Sequence, residues 1–395
     1  MNTEQNRQIV PAERVGTVSE YWFSRKIAEV AKLRASGRDI ISIAIGGPDR
    51  PPSADVIETL CCEARKDNAH SYQNTRSIPE LREAFSRWYG RHYGVSLDPD
   101  TEILPLIGSK EGIMHISLTF LNPGDKALVP DPGYPTYTSA TRLVGAQPVS
   151  YNLSADSGWQ PDFDELESLA AGGGIKIMWV NYPHMPTGAP ADMTTFRRLI
   201  DFGRRHSTVI VNDNPYSFIL NDNPRSILEI DGARDVAIEM NSLSKSHNMA
   251  GWRVAMLASN PQFVSWILRV KSNVDSGQFR PVMLAAAKAL EAADDWYASV
   301  NGEYRKRRAT AEKIMEALGC SFDPSQRGLF LWGRIPDSMP SGEWLADRLL
   351  YEADVFLTPG FIFGSRGDRY IRLSLCADDA TLRSALSRIE KLMKR

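Results

Sequence analysis

The sequence predicts an α/β protein, with a large domain built on a mostly parallel sheet sandwiched by helices and a smaller α+β domain after it. Three observations predict this. A chain of 395 residues exceeds the roughly 250–300 residues that one hydrophobic core serves, so two domains are expected. Between about residues 100 and 260, short β-rich runs alternate with helical stretches, as βαβ units around a buried sheet require. From Gly328 onward, strand-like and helical runs are mixed. The expected boundaries are 1–50 for an N-terminal arm and lead-in segment that joins the small domain, 51–290 for the large domain and 291–395 for the small one.

Taken in order, residues 21–36 have helical spacing and end near Gly37, and the apolar run 40–45 reads as a strand closing on Gly46-Gly47-Pro48. Strands are expected at 103–107, 126–129, 176–181, 208–213, 236–242 and 254–258. A long helical region covers 281–318, and its charged run 301–316 reads as a solvated face. Strands at 329–332 and 370–375 belong to the C-terminal part. The Gly172-Gly173-Gly174 run reads as a loop, and no internal repeat is present.

Composition narrows the function. With 43% hydrophobic and 24% charged residues the chain matches an ordinary globular protein. A net charge of -2 lacks the basic excess that nucleic-acid binding needs. The polar N-terminal stretch has no apolar signal core and no window suits a membrane span, so a cytoplasmic protein without a membrane partner is expected. Cys61, Cys62, Cys320 and Cys376 have no C-x-x-C spacing and read as reduced thiols; no metal is expected.

The chemistry-bearing signals sit at predicted strand ends. Ser242-Leu243-Ser244-Lys245 follows the strand 236–242, and Arg253 lies eight residues beyond Lys245. A lysine there stands where open α/β sheets bind ligands, and the serines and the guanidinium suit a phosphate. The strand 208–213 ends in Asp213, with Tyr216 three residues on. That carboxylate can pair with a pyridinium nitrogen, and the phenol can donate to a ring oxygen, although Asp213 alone could equally be a helix cap. Gly108-Ser109-Lys110-Glu111-Gly112 opens a helix, an arrangement that favours an anion. Tyr134, in Asp131-Pro132-Gly133-Tyr134-Pro135, offers a ring for stacking.

In this order, and with Pro186-Thr187-Gly188 and Arg372, these motifs resemble the class I/II aminotransferases of fold type I, enzymes dependent on pyridoxal 5'-phosphate (PLP). The resemblance runs from about Asp39 to the C-terminus. Within the family the chain is similar to the branch of LL-diaminopimelate and related aspartate-type enzymes, through Gly108 to Gly112 and Asn248 to Arg253. The resemblance implies a ping-pong transfer of an amino group between an α-amino acid and an α-keto acid. Lys245 would hold the cofactor as a Schiff base and shuttle the proton, Asp213 would keep the ring nitrogen protonated, and Tyr216 would bind the phenolic oxygen. Tyr134 would stack on the ring, and Ser109, Lys110, Ser242 and Arg253 would hold the phosphate. Arg372 would grip the α-carboxylate, with Gly46 leaving room for substrate. Tyr72 would reach the phosphate of a neighbouring subunit, which implies a homodimer.

Two positions depart from the family pattern. Ser77 stands where glycine is usual, and Met185 stands where an asparagine normally donates to the phenolic oxygen; His184 beside it could replace that donor. Tyr21, Trp22, Phe23 and Arg280 are candidates for the distal side-chain pocket. A fold type I lyase, such as a C-S lyase or decarboxylase, is the alternative, separated by whether an α-keto acid regenerates the starting enzyme. A PLP-binding regulator would need a DNA-binding domain, for which the segment before Tyr21 is too short.

Overall fold

All six runs expected as strands between residues 100 and 260 join one seven-stranded sheet in the computed structural model, which describes residues 9–190 and 192–394. The first eight residues of the N-terminal arm lie outside the described residues. Across the sheet the strands run Ile103–Leu106, Ala255–Ala258, Ala237–Ser242, Val209–Asp213, Ile175–Val180, Lys126–Asp131 and Gln147–Asn152. Ala255–Ala258 runs opposite to the other six strands, antiparallel to both of its neighbours.

The strands are apolar along their length because both faces are covered. Ile177, Trp179, Val209 and Val211 pack into one core cluster, whereas the alternating Met178, Val180 and Ile210 pack into another. This period of two follows from the pleat. Gln147–Asn152 was not expected as a strand. It is the sheet edge, pairs only with Lys126–Asp131 and exposes Gln147 and Ser150, so its sequence carries no apolar run.

The helix Met193–His206 shows how local sequence fixes an element against the sheet. Asp192 caps its start by accepting from Thr194 N, and Ser207 ends it in the left-handed region at φ 52°. Its buried Phe196, Leu199 and Phe202 recur at helical spacing, each contributing about 1.5–3 kcal/mol by leaving water. The region 281–318 forms two helices, Arg280–Ala289 and Asp294–Ala317, the second opened by Asp294 and Asp295. Its charged run is not simply solvated: Tyr304, Arg307, Ala311 and Ile314 line a buried face, and Arg307 pairs with Asp49 at 2.8 Å.

The C-terminal part holds an antiparallel sheet of Thr358–Pro359, Tyr370–Ser374 and Phe330–Arg334. The run expected as a strand at 40–45 is shorter, Ile41–Ser42, and pairs in parallel with Val355–Phe356. The following residues therefore pass along Tyr370–Ser374, where Ser374 N donates to Ile43 O at 2.8 Å, and deliver Gly46 to the sheet's carboxyl ends.

Candidate active site

The carboxyl ends of parallel strands open onto a crevice, and here that crevice is a cavity of about 490 Å³. It gathers Gly46, Ser109, Lys110, Tyr134, Met185, Asp213, Tyr216, Ser242, Lys245, Arg253 and Arg372.

Lys245 lies in the single turn Leu243–Ser246 directly after its strand, where Ser242 Oγ accepts from Ser244 N at 3.1 Å. Its Nζ donates to Gly46 O at 2.5 Å. Burial is the chief reason its ammonium pKa is lowered; Arg372 and Arg253 push the same way, against the Cys376 and Asp213 side chains. More of the lysine is therefore free amine, the nucleophilic form.

Asp213 ends its strand with one oxygen satisfied and one not. Oδ2 accepts from Tyr137 OH at 3.0 Å, while Oδ1 is buried without a partner. Burial raises its pKa to about 6, against the lowering effects of Tyr137 and Lys245. Below pH 3.8 the resulting stabilisation of the neutral form is fully present, and it is lost as pH rises through about 6. Ionising this carboxyl in the cofactor-free fold thus costs on the order of 3 kcal/mol at neutral pH. Asp213→Asn should raise the melting temperature of the cofactor-free protein by a few °C at pH 8 and leave it nearly unchanged below pH 4. Calorimetry across that range checks this; an equal shift at both ends would show that ionisation is not the cause.

An anion cup forms at the other end. Gly108, at φ 86°, precedes the helix Ser109–Phe120, and a Cβ there would overlap the Arg253 guanidinium, so glycine permits the close approach. Ser109 Oγ is buried with no partner. Lys110 Nζ lies 4.5 Å from the Tyr21 ring centroid.

Arg372 is buried, and burial lowers its pKa only to about 10, so it stays charged. Nη2 donates to Ala44 O at 3.0 Å and Nη1 to Met185 Sδ at 3.3 Å, while Nε has no partner. The guanidinium carbon sits 3.8 Å from the Phe330 ring centroid, 4.7 Å from that of Phe363 and 5.5 Å from that of Phe23. An aromatic cage with no carboxylate leaves this cation open to an incoming anion.

These features fit PLP. Asp213 Oδ1 suits a ring N–H, Ser109 Oγ and the approach of Arg253 to Gly108 suit a phosphate, and Lys245 suits the aldehyde.

Several expectations are corrected. A Cβ at Gly46 would strike the Phe330 ring, so the missing side chain makes room for Phe330 rather than for substrate. Tyr21 and Phe23 line the cavity, but Trp22 turns away to stack on Phe356. Arg280 is paired with Glu80 at 3.0 Å, outside the cavity. His184 is also outside: its Nδ1 bonds Thr187 Oγ1 at 2.8 Å, and burial depresses its pKa to about 3. Ser77 adopts φ 73°, the left-handed conformation for which glycine is usual, at a cost of about 1 kcal/mol. Tyr72, expected to reach a neighbouring subunit rather than its own, is 91% exposed.

Sequence reasoning missed Tyr137, Asn181 and Phe330. Tyr137 lies three residues beyond Tyr134 on the helix Pro135–Leu143, and that spacing was the available signal. Asn181 follows the strand Ile175–Val180; its side chain donates to Asp213 O and accepts from Met185 N at 2.8 Å, joining the two ends of the site.

The family described as aminotransferase class I and II matches residues 38–389. The chain is 40% identical over 388 residues to the LL-diaminopimelate aminotransferase of Oleidesulfovibrio alaskensis, covering 98% of this chain and 100% of that one. It is 38% identical over 380 residues to the enzyme of the same name from Dehalococcoides mccartyi, covering 96% and 97%. Among solved structures, substrate-bound BacF from Bacillus subtilis superimposes with a TM-score of 0.93 at 31% identity, over 98% of each chain.

Proposed function

The chain belongs to the class I and II aminotransferases, which work with pyridoxal phosphate, and on that premise we propose how its residues divide the work and which donor they accept. Bound PLP supplies an electron sink for the pair left behind when the α-proton departs. Lys245 Nζ would hold the cofactor and, once the donor's amine displaces it as a free amine, would be placed to take that proton. Asp213 keeps the ring nitrogen protonated, Tyr216 donates to the phenolic oxygen, and Tyr134 stacks on the ring. Ser109, Lys110, Ser242 and Arg253 bind the phosphate. Met185 offers no N–H, so Tyr216 is left as the donor beside it. The observation that carries the reading is Arg372, a buried cation whose partners are a carbonyl and a thioether, aimed into the cavity that holds Lys245. The lyase alternative is not favoured, since relatives across the full length are named aminotransferases.

The same reading makes the protein a cytoplasmic homodimer with Tyr72 contributed across the interface. Among the described residues no helix is long and apolar enough to cross a membrane. The exposure of Tyr72, Val274 and Phe279 supports the dimer. The division at 1–50, 51–290 and 291–395 is part of this proposal, supported by the pairing of Ile41 with Val355.

The relatives' names make LL-diaminopimelate the first donor to test. The cavity favours another class. Among the described residues of one subunit its cations are Lys110, Lys245, Arg253 and Arg372, all assigned above, and the remaining wall includes Tyr21, Phe23, Ile27 and Ile45. Within one subunit a second charged head group against that wall finds no counter-charge, and leaving it unpaired would cost about 1–3 kcal/mol or more. We therefore expect kcat/KM with 2-oxoglutarate to be at least ~10-fold higher for L-phenylalanine or L-leucine than for LL-diaminopimelate. A faster LL-diaminopimelate reaction overturns the donor class alone. Failure of every donor to yield a keto acid overturns the proposed roles.

A further inference from the structure

Segment 272–279 connects the helices Pro261–Lys271 and Arg280–Ala289 and lines none of the cavity, yet two of its residues reach the elements that form the anion cup. Gln278 Nε2 donates to Trp252 O at 3.2 Å and to Arg253 O at 2.9 Å. Arg253 adopts φ 58°, a left-handed conformation that is unfavourable for a residue with a Cβ and persists only when neighbours hold it. That turn aims the guanidinium at Gly108. One amide gripping two successive carbonyls fixes the peptide plane on which the aim depends.

Asp275 reaches the other wall of the cup. Its Oδ2 accepts from Lys271 Nζ at 2.6 Å and lies 4.0 Å from His115 Nε2. His115 Nε2 bonds Glu111 Oε1 at 2.8 Å, and Glu111 Oε2 accepts from Ile107 N at 2.7 Å, at the start of the loop that carries Gly108, Ser109 and Lys110. Glu111, His115 and Asp275 are close enough together to hold a metal ion, but the Lys271 ammonium already supplies the positive charge there. The cluster is a buried knot between two elements. The segment itself is seated by Gly277, whose N–H donates to Asp275 Oδ1 at 2.8 Å. At φ 83° and with no room for a Cβ against the carbonyl of Gln73, Gly277 packs directly on the backbone beside Tyr72.

We propose that segment 272–279 is a brace for the phosphate cup, in which Gln278 and Asp275 are positioning residues that set the Arg253 turn and the 107–110 loop against each other. The proposal rests on the reading of that cup as the phosphate site. It distinguishes alignment of the cup from general support of the fold, because only the former depends on the ligand's phosphate.

The test is titration of the cofactor-free full chain with pyridoxal 5'-phosphate and, in parallel, with pyridoxal, for wild type, Gln278→Ala, Gln278→Glu and Asp275→Asn. Gln278→Glu keeps the side-chain shape and removes the N–H donors. The expected result is an affinity for pyridoxal 5'-phosphate about ten- to a hundred-fold weaker in the variants, with pyridoxal affinity unchanged. The amino donor's KM at saturating cofactor should also be unchanged. Equal loss for both ligands, or no loss for either, overturns the brace. If Asp275→Asn fails to fold, the two Gln278 variants decide the question alone. Should wild type itself bind both ligands equally, the phosphate reading of the cup fails instead.

Discussion

Lys245→Ala is expected to lower kcat/KM by about four orders of magnitude or more, ~5.5 kcal/mol, without unfolding the protein. The size follows from two roles in one group. Its amine holds the cofactor and then moves the α-proton, so truncation removes both the covalent link and the base. The fold should tolerate the change, because Lys245 Nζ has one hydrogen bond, to Gly46 O, and its burial already disfavours the charged form. Borohydride reduction and peptide mapping give a readout independent of turnover: wild type should carry the pyridoxyl group on Lys245, and the variant should carry none. A label on another lysine would displace Lys245 from its role.

Arg372→Ala should cost about 2–5 kcal/mol in kcat/KM, roughly 30-fold to several-thousand-fold, with much of the loss in the amino acid's KM. The α-carboxylate would lose its counter-charge inside a cage of Phe330, Phe363 and Phe23, where water cannot substitute. Arg372→Lys should recover only part of the loss, because an ammonium cannot make the paired contact of a guanidinium. An amine donor without a carboxylate should react equally with wild type and Arg372→Ala; a loss there too would mean that Arg372 supports the cavity rather than the substrate.

The motifs were legible where chemistry dictates residue type at a strand end. Asp213, Lys245 and the Gly108–Lys110 string are short polar signals after apolar runs, and an α/β sheet sends such signals to one crevice. What depended on partners distant in sequence was not legible. Gly46 could be read as substrate space because nothing local announces Phe330, 284 positions away (330 minus 46), as the ring that fills it. Tyr137 had no motif of its own, since its role comes from facing Asp213 across 76 positions. The edge strand Gln147–Asn152 escaped because an edge needs no apolar run, and the buried face of Asp294–Ala317 was hidden under its charges. In each case residue type was visible but the neighbour was not.

The single antiparallel strand sets an order of assembly. Ile103–Leu106, which carries the Gly108 loop at its end, pairs among the described residues with no strand except Ala255–Ala258, and Ile103 meets Ala258 across 155 positions (258 minus 103). Closing so long a span must precede the contacts that reward it, which slows folding and delays the pairing. Until Ala255–Ala258 is in place, Ile103–Leu106 has no strand to pair with among the described residues. The two walls of the cup, Gly108–Lys110 and Arg253, meet only then. A chain lacking residues 255–258 would leave Ile103–Leu106 without its strand partner, and the two walls of the cup without the pairing that brings them together.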